Sequence, residues 1–121
     1  MMSIEEARKL LREDFDDQEI EVYLYLLKKK DFDAKDIAKA LNIDEEIASR
    51  IINAFLEKGL VIASSAKNRF KCLHPRMGLT NIYKIWEQKA LRDKNIGPAE
   101  YRKKRAKIEL LVRMLSNVYE Q

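Results

Sequence analysis

The chain has little of what cross-links or bends a protein. It contains one Cys, three Gly and two Pro among 121 residues. A single Cys excludes an internal disulfide and is typical of a reducing compartment, so we expect a cytoplasmic protein. So few Gly and Pro favour helices over turns. No apolar run approaches the ~18 residues of a membrane-spanning helix, and the first residues lack a signal-peptide pattern, so no membrane association is expected.

Residue types that carry chemistry are equally scarce. A single His, His74, and a single Cys, Cys72, cannot form a zinc site by themselves. The three glycines, at positions 59, 78 and 97, do not form a phosphate-binding loop. No pair of carboxylates lies beside a candidate nucleophile. We therefore expect that the protein is not an enzyme and uses neither a metal nor another cofactor.

Charged residues are abundant but unevenly divided. Residues 1–61 carry 10 Lys/Arg and 15 Asp/Glu, whereas residues 62–121 carry 14 Lys/Arg and 5 Asp/Glu, and the net charge is +4. An anionic partner is expected to contact the basic second half. Solvated charged helix faces would give the same count, so both interpretations stay open.

Apolar residues recur at helical spacing through the first half of the chain. Ser3 with Glu6 and Asp33 with Asp36 are capping signatures that predict helices over about 4–14 and 34–41. Between them, Asp16 or Asp17 begins a helix that extends to about residue 30 and has its apolar stripe at positions 20, 23, 24 and 27.

A tight turn and a change of period follow. Asn42 can adopt the left-handed conformation that ends a helix, Asp44 is the expected cap of the next helix, and Gly59 is its expected stop. Residues 60–63 and 70–73 then resemble two short strands, with a polar loop between them. Further helices are expected over about 79–93 and 99–119, separated by the break at residues 95–98.

This order predicts a mainly α fold, a winged helix-turn-helix with a small β-hairpin wing. We assign residues 1–76 to the winged helix-turn-helix domain with its short N-terminal helix. Residues 77–121 are assigned to a C-terminal helical extension that serves dimerisation.

Four parts of the sequence resemble a known family. Residues 19–27 (EIEVYLYLL) are similar to the first core helix of the archaeal TrmB-like winged-helix regulators. Residues 37–43 (IAKALNI) resemble their positioning helix and turn, and residues 55–61 (FLEKGLV) resemble the end of their recognition helix and the first wing strand. Pro75 followed by Leu79 resembles the step out of the wing. The resemblance implies a DNA-binding regulator. The family commonly has a large sugar-binding domain after the winged helix, but only about forty residues follow here, so no small-molecule effector is inferred.

The predicted recognition helix, residues 44–58, exposes Ser49, Arg50 and Asn53 when its apolar stripe faces the core. In the major groove Arg pairs with guanine and Asn with adenine, so we expect these side chains to contact bases. The first turn, residues 44–46, is acidic, which opposes phosphate binding. Acids in a first turn also stabilise a helix through its dipole, which is an equally physical reason for their presence.

The predicted wing, residues 64–71, is basic. Lys67, Arg69 and Lys71 alternate, so in a strand they share one face, and Asn68 lies at the tip. Such a face can contact phosphates, although charge also blunts the edge of a solvated hairpin.

The last helix carries an apolar seam that needs a partner surface. That surface belongs either to the same chain or to a second copy. We predict a homodimer, because paired half-sites are how such modules gain affinity. The expected dimerisation residues are Trp86, Tyr101, Ile108, Leu111, Leu115 and Val118.

The leading functional hypothesis is therefore a homodimeric transcriptional regulator that binds double-stranded DNA. Two alternatives stay open. The acidic start of the recognition helix favours a winged helix that binds another protein in transcription assembly, and the basic second half favours nonspecific coating of DNA.

Overall fold

Helices dominate the structure, a computed structural model that describes residues 3–121. Residues 1 and 2, with which the predicted first domain begins, lie outside the described residues. The predicted mainly helical class with a small wing is confirmed. In chain order the elements are α1 (Ile4–Leu11), α2 (Asp17–Lys29), β1 (Asp31–Phe32), α3 (Ala34–Leu41), α4 (Glu45–Lys58), β2 (Val61–Ala63), β3 (Phe70–Cys72), α5 (Pro75–Ala90) and α6 (Pro98–Tyr119).

The first two helices begin at their predicted caps. The Ser3 side chain accepts a hydrogen bond from the Glu6 N–H, and Asp16 forms a reciprocal capping box with Glu19. Helix α1 ends earlier than expected, because the chain turns after Leu11. This turn places Phe15 in the core, where only 5% of it is exposed.

Helices α3 and α4 form the helix-turn-helix. Asp33 and Asp36 cap α3 reciprocally, and Asn42 ends it in the left-handed region, with φ 54°. Gly59 ends α4 with φ 78°, as predicted. Asp44 occupies the N-cap position of α4, but its side chain makes no capping hydrogen bond, so that part of the prediction is wrong. The acids of this first turn still interact favourably with the helix dipole.

The wing belongs to a three-stranded antiparallel sheet of order β1-β3-β2. Both predicted strands are present, each slightly shorter than expected. Strand β1 is an addition that no local pattern predicts. It pairs Asp31 with Lys71 and Phe32 with Phe70. Strand β1 matters for the site, because it brings acidic residues beside the wing.

Helix α5 begins four residues before its predicted start at Leu79. His74 is its N-cap, with Nδ1 accepting a hydrogen bond from the Arg76 N–H at 3.0 Å. Pro75 follows at the first helical position, where the missing N–H of proline is not needed. The predicted boundary between residues 76 and 77 therefore falls inside α5.

Helix α6 packs along α5 and also contacts α1 and α2. Its apolar residues join the same core as the helix-turn-helix, at whose centre the rings of Phe15, Tyr23 and Phe55 lie about 6 Å apart. Lys104 is only 5% exposed, and its Nζ lies 2.7 Å from Oδ2 of Asp14 in the α1–α2 turn. No helix among residues 3–121 is long and apolar enough to cross a membrane.

Candidate nucleic-acid interface

Helix α4 presents a polar face to solvent, because its apolar face packs in the core. Ala48, Ile51, Ile52 and Phe55 are buried, at the spacing that forms one helical stripe. The predicted base-contacting residues Ser49, Arg50 and Asn53 are all exposed. Glu45 and Glu46, in the first turn, are exposed as well.

The turn between β2 and β3 is held by backbone hydrogen bonds. The Ser64 N–H donates to the Arg69 carbonyl at 2.8 Å, and the Arg69 N–H donates to the Ala66 carbonyl at 3.3 Å. Asn68 has φ 60°, a left-handed conformation that Asn tolerates better than most residues. Lys67, Asn68 and Lys71 are exposed, so the wing presents two lysines to solvent.

Arg69 does not join those lysines as a free cation. Its guanidinium lies 2.6 Å from Asp31, 3.4 Å from Asp33 and 3.3 Å from Asp36. The hydrogen bond to Asp31, together with the negative charges of all three carboxylates, raises the pKa of Arg69. The sequence predicts one basic face for residues 67, 69 and 71. The structure instead ties Arg69 to β1 and the start of α3.

Asp36 is one of the carboxylates that pair with Arg69, and its own pKa is shifted by this network. Desolvation raises the pKa of its carboxyl group. The hydrogen bond from the Asp33 N–H and the charges of Lys29 and Arg69 outweigh this effect, so the pKa is lowered on balance. Asp36 is therefore an ionised group that both caps α3 and holds the wing in place.

A cleft of about 500 Å³ separates the recognition helix from the wing. Ser49 and Asn53 of α4 line one wall, and Asn68 at the tip of the wing lines the other. The structure thus brings three predicted residues together. Arg50 lies apart from them, in a shallower groove beside Asp16 and Glu19 of α2.

The cleft contains residues that the sequence does not single out. Lys35, exposed in the first turn of α3, lines it together with Asp33 and Glu45. The sequence does contain a signal for Lys35, since it is a basic residue at the start of the positioning helix. That end of the helix lies next to the recognition helix. The cleft is mixed in charge rather than uniformly basic.

The predicted dimerisation residues lie mostly inside the chain. Ile108, Leu111 and Leu115 are at most 5% exposed, packed in the common core. The rings of Trp86 in α5 and Tyr101 in α6 pack edge to face, with their centroids 5.3 Å apart. Val118 lines a groove of about 840 Å³ between α1 and α6. Packing within the chain therefore accounts for most of this seam.

Cys72 is buried, and burial raises the pKa of its thiol to about 12. Within the described residues there is no group of three or more His, Cys, Asp or Glu side chains that could hold a metal ion.

Comparison with known proteins gives matches of two kinds, to a family and to solved structures. The sequence model of the family described as "Sugar-specific transcriptional regulator TrmB" matches residues 10–86. No curated protein sequence matches the chain.

A solved structure shares the fold. It is the structure of TrmBL2, described as an archaeal chromatin protein with a novel mode of DNA binding. The similarity has a TM-score of 0.64 at 20% sequence identity, and it covers 99% of this chain. This chain spans 45% of the length of that protein.

The fold agrees with the family match, since the helix-turn-helix and the wing lie within residues 10–86. The match covers well over half of the sequence. The chain therefore belongs to the TrmB family of transcriptional regulators.

Proposed function

We propose that the chain binds duplex DNA through the cleft between α4 and the wing. One observation carries the proposal: exposed Ser49 and Asn53 of α4 and Asn68 of the wing line a single cleft. Amide and hydroxyl groups of this kind donate to and accept from base edges and phosphates. The shared fold with TrmBL2, which is described as binding DNA, supports the same proposal.

The proposed roles follow from position and side-chain chemistry. In the cleft, Asn53 is suited to adenine, with Ser49 as a secondary base contact. Arg50, which lies outside the cleft, is suited to guanine through its guanidinium. Lys67 and Lys71 of the wing and Lys35 of α3 are exposed cations, suited to phosphates. Arg69 has a different role. Through Asp31, Asp33 and Asp36 it fixes the angle of the wing relative to α3.

A second candidate function rests on the acids around the cleft. Asp33 and Glu45 line it, and Glu46 is exposed beside it. These charges repel phosphates and would attract a basic protein surface. The alternative is therefore a winged helix that binds a basic protein partner in transcription assembly, with negligible affinity for duplex DNA at physiological salt.

A randomised duplex library, selected at several salt concentrations, separates these functions. We expect the chain to enrich a sequence motif, and Asn53→Ala to relax preference at one position by a factor equivalent to about 1–3 kcal/mol. Lys67→Glu with Lys71→Glu should weaken binding to all sequences.

The matched control is Lys9→Glu with Lys28→Glu, which makes the same charge change at exposed helical sites that do not line the cleft. Equal binding by the wing variant and this control would eliminate the proposed interface. Absence of duplex binding in the unaltered chain would favour the protein-binding alternative.

The homodimer is also part of the proposal. With most of the predicted seam buried, the remaining surface is the α1–α6 groove, where Leu110, Met114 and Val118 are partly exposed apolar residues. A second copy related by twofold symmetry would cover the same groove on both chains and present two recognition helices. Sedimentation should show a dimer that Met114→Asp converts to a monomer. A monomeric parent chain at high concentration would remove this part of the proposal.

A further inference from the structure

A second basic surface lies away from the cleft, where α5 ends and α6 begins. We call it the basic tip. Its exposed acidic residues are only Asp93 and Glu100, with Glu87 partly buried. Its exposed basic residues are Lys84, Lys89, Arg92, Lys94, Arg102, Lys103 and Arg105.

The carboxylates of the neighbouring α1–α2 turn are already paired with lysines of α6. Lys104 pairs with Asp14 at 2.7 Å, and Lys107 pairs with Glu13 at 2.9 Å. These two lysines point towards the α1–α2 turn, so the carboxylates of that turn are not available to the outer residues. Within residues 3–121, none of the seven residues of the basic tip forms an ion pair. The tip therefore carries uncompensated positive charge.

Contacts between the two helices gather part of this charge in one place. Arg105 lies over the Tyr83 ring, with its Cζ 5.7 Å from the ring centroid, and Trp86 packs against Tyr101. Residues 83–86 consequently lie opposite residues 101–105. Lys84 of α5 and Arg102 and Lys103 of α6 belong to these facing stretches.

The basic tip is separate from the proposed DNA cleft. It is anchored to the α1–α2 turn through Lys104 and Lys107, whereas the wing is anchored to β1 and α3 through Arg69. The first turns of α6 face α5 and the α1–α2 turn, whereas α6 contacts strand β3 at its far end, where the Tyr119 hydroxyl donates to the Cys72 carbonyl. A ligand on the tip would therefore not occupy the cleft.

Local stability does not explain the bases on α6. Arg102 and Lys103 lie in the second turn of α6, and neither has an ion-pair partner within residues 3–121. Arg105 is held by its contact with Tyr83. Exposed bases that no contact within the chain accounts for are expected at binding surfaces. Lys89 differs, since the last turn of a helix favours a base.

We infer that the basic tip is a second DNA-binding surface, which contacts the phosphate backbone of duplex DNA without reading its sequence. Flexible, exposed Lys and Arg side chains that lack base-reading partners supply affinity and salt dependence but no specificity. The tip goes beyond the proposed cleft, because it binds any duplex and does not need the recognition helix.

The test is binding of a duplex of arbitrary sequence, measured by fluorescence anisotropy from 50 to 300 mM salt. Lys84→Glu with Lys103→Glu should lower affinity about tenfold and reduce the salt slope by about two. Lys9→Glu with Lys28→Glu is the control, since it reverses two exposed helical lysines with the same change in net charge. Equal affinity of the two variants would overturn the inference. Circular dichroism melting curves check that both remain folded.

A second background separates this inference from the proposed function. In the chain with Lys67→Glu and Lys71→Glu, the tip should retain salt-dependent binding, which the added tip substitutions abolish. If Lys67→Glu with Lys71→Glu alone abolishes all binding, the inference about the tip is wrong and the proposed cleft remains supported. Unchanged binding on wing reversal, with loss on tip reversal, would remove the cleft and support the tip.

Discussion

At the scale of single residues, Gly59 shows how the end of the recognition helix is fixed. Its φ of 78° is a region that side chains disfavour, and an added Cβ would lie 2.5 Å from Nδ2 of Asn81. That nitrogen donates to the Gly59 carbonyl at 2.8 Å. We expect Gly59→Ala to lower the free energy of unfolding by about 2–3 kcal/mol, through backbone strain and the displaced hydrogen bond.

Gly97→Ala is the control for this prediction. Apart from Gly97 itself and its two chain neighbours, no residue has a heavy atom within 4 Å of the Cβ position at Gly97, whose φ is −97°. Its effect should be within about 0.5 kcal/mol, because a poorer N-cap is offset by a less flexible unfolded chain. Urea denaturation measures both. Equal losses in the two variants would show that the conformation of Gly59 is not the cause.

Residue chemistry also marks where prediction from the sequence succeeds. Asn42 and Gly59 are residue types that favour the left-handed region, and both helix ends are confirmed. Lys30 has φ 67° as well, but lysine gives no such signal. Its conformation depends on the sheet, where the Lys30 carbonyl accepts a hydrogen bond from the Cys72 N–H at 2.8 Å.

At the scale of elements, long-range pairing limits prediction in the same way. Strand β1 has two residues and exists through its pairing with β3, which no local period reveals. The position of Arg69 follows from it, because β1 brings Asp31 within reach. The alternation of residues 67, 69 and 71 predicts one basic face. In the structure, Arg69 does not belong to that face, because it pairs with Asp31, Asp33 and Asp36.

The attachment of α6 can be tested through its buried lysine. Lys104→Met leaves the 14%-exposed side chain of Asp14 without its partner and should cost about 3 kcal/mol of unfolding free energy. Adding Asp14→Leu removes the unpaired charge, so the double variant should recover most of that loss. A double variant as unstable as Lys104→Met would show that the pair contributes through packing of the lysine stem alone.

At the scale of the whole molecule, the position of charge matters more than its sum. The net charge of +4 combines an acidic first half with a basic second half, and the structure divides the basic half between the wing and the tip.

Glu45 and Glu46 begin the recognition helix, so they lie close to any phosphate that the cleft binds. Glu45→Gln with Glu46→Gln should raise duplex affinity about three- to tenfold at 50 mM salt, and less at 300 mM. Glu5→Gln with Glu6→Gln changes the net charge identically in the first turn of α1 and should leave affinity nearly unchanged. An equal gain in both variants would mean that total charge governs binding. No gain in either would place the DNA away from α4, because a phosphate near that helix end cannot be indifferent to two carboxylates.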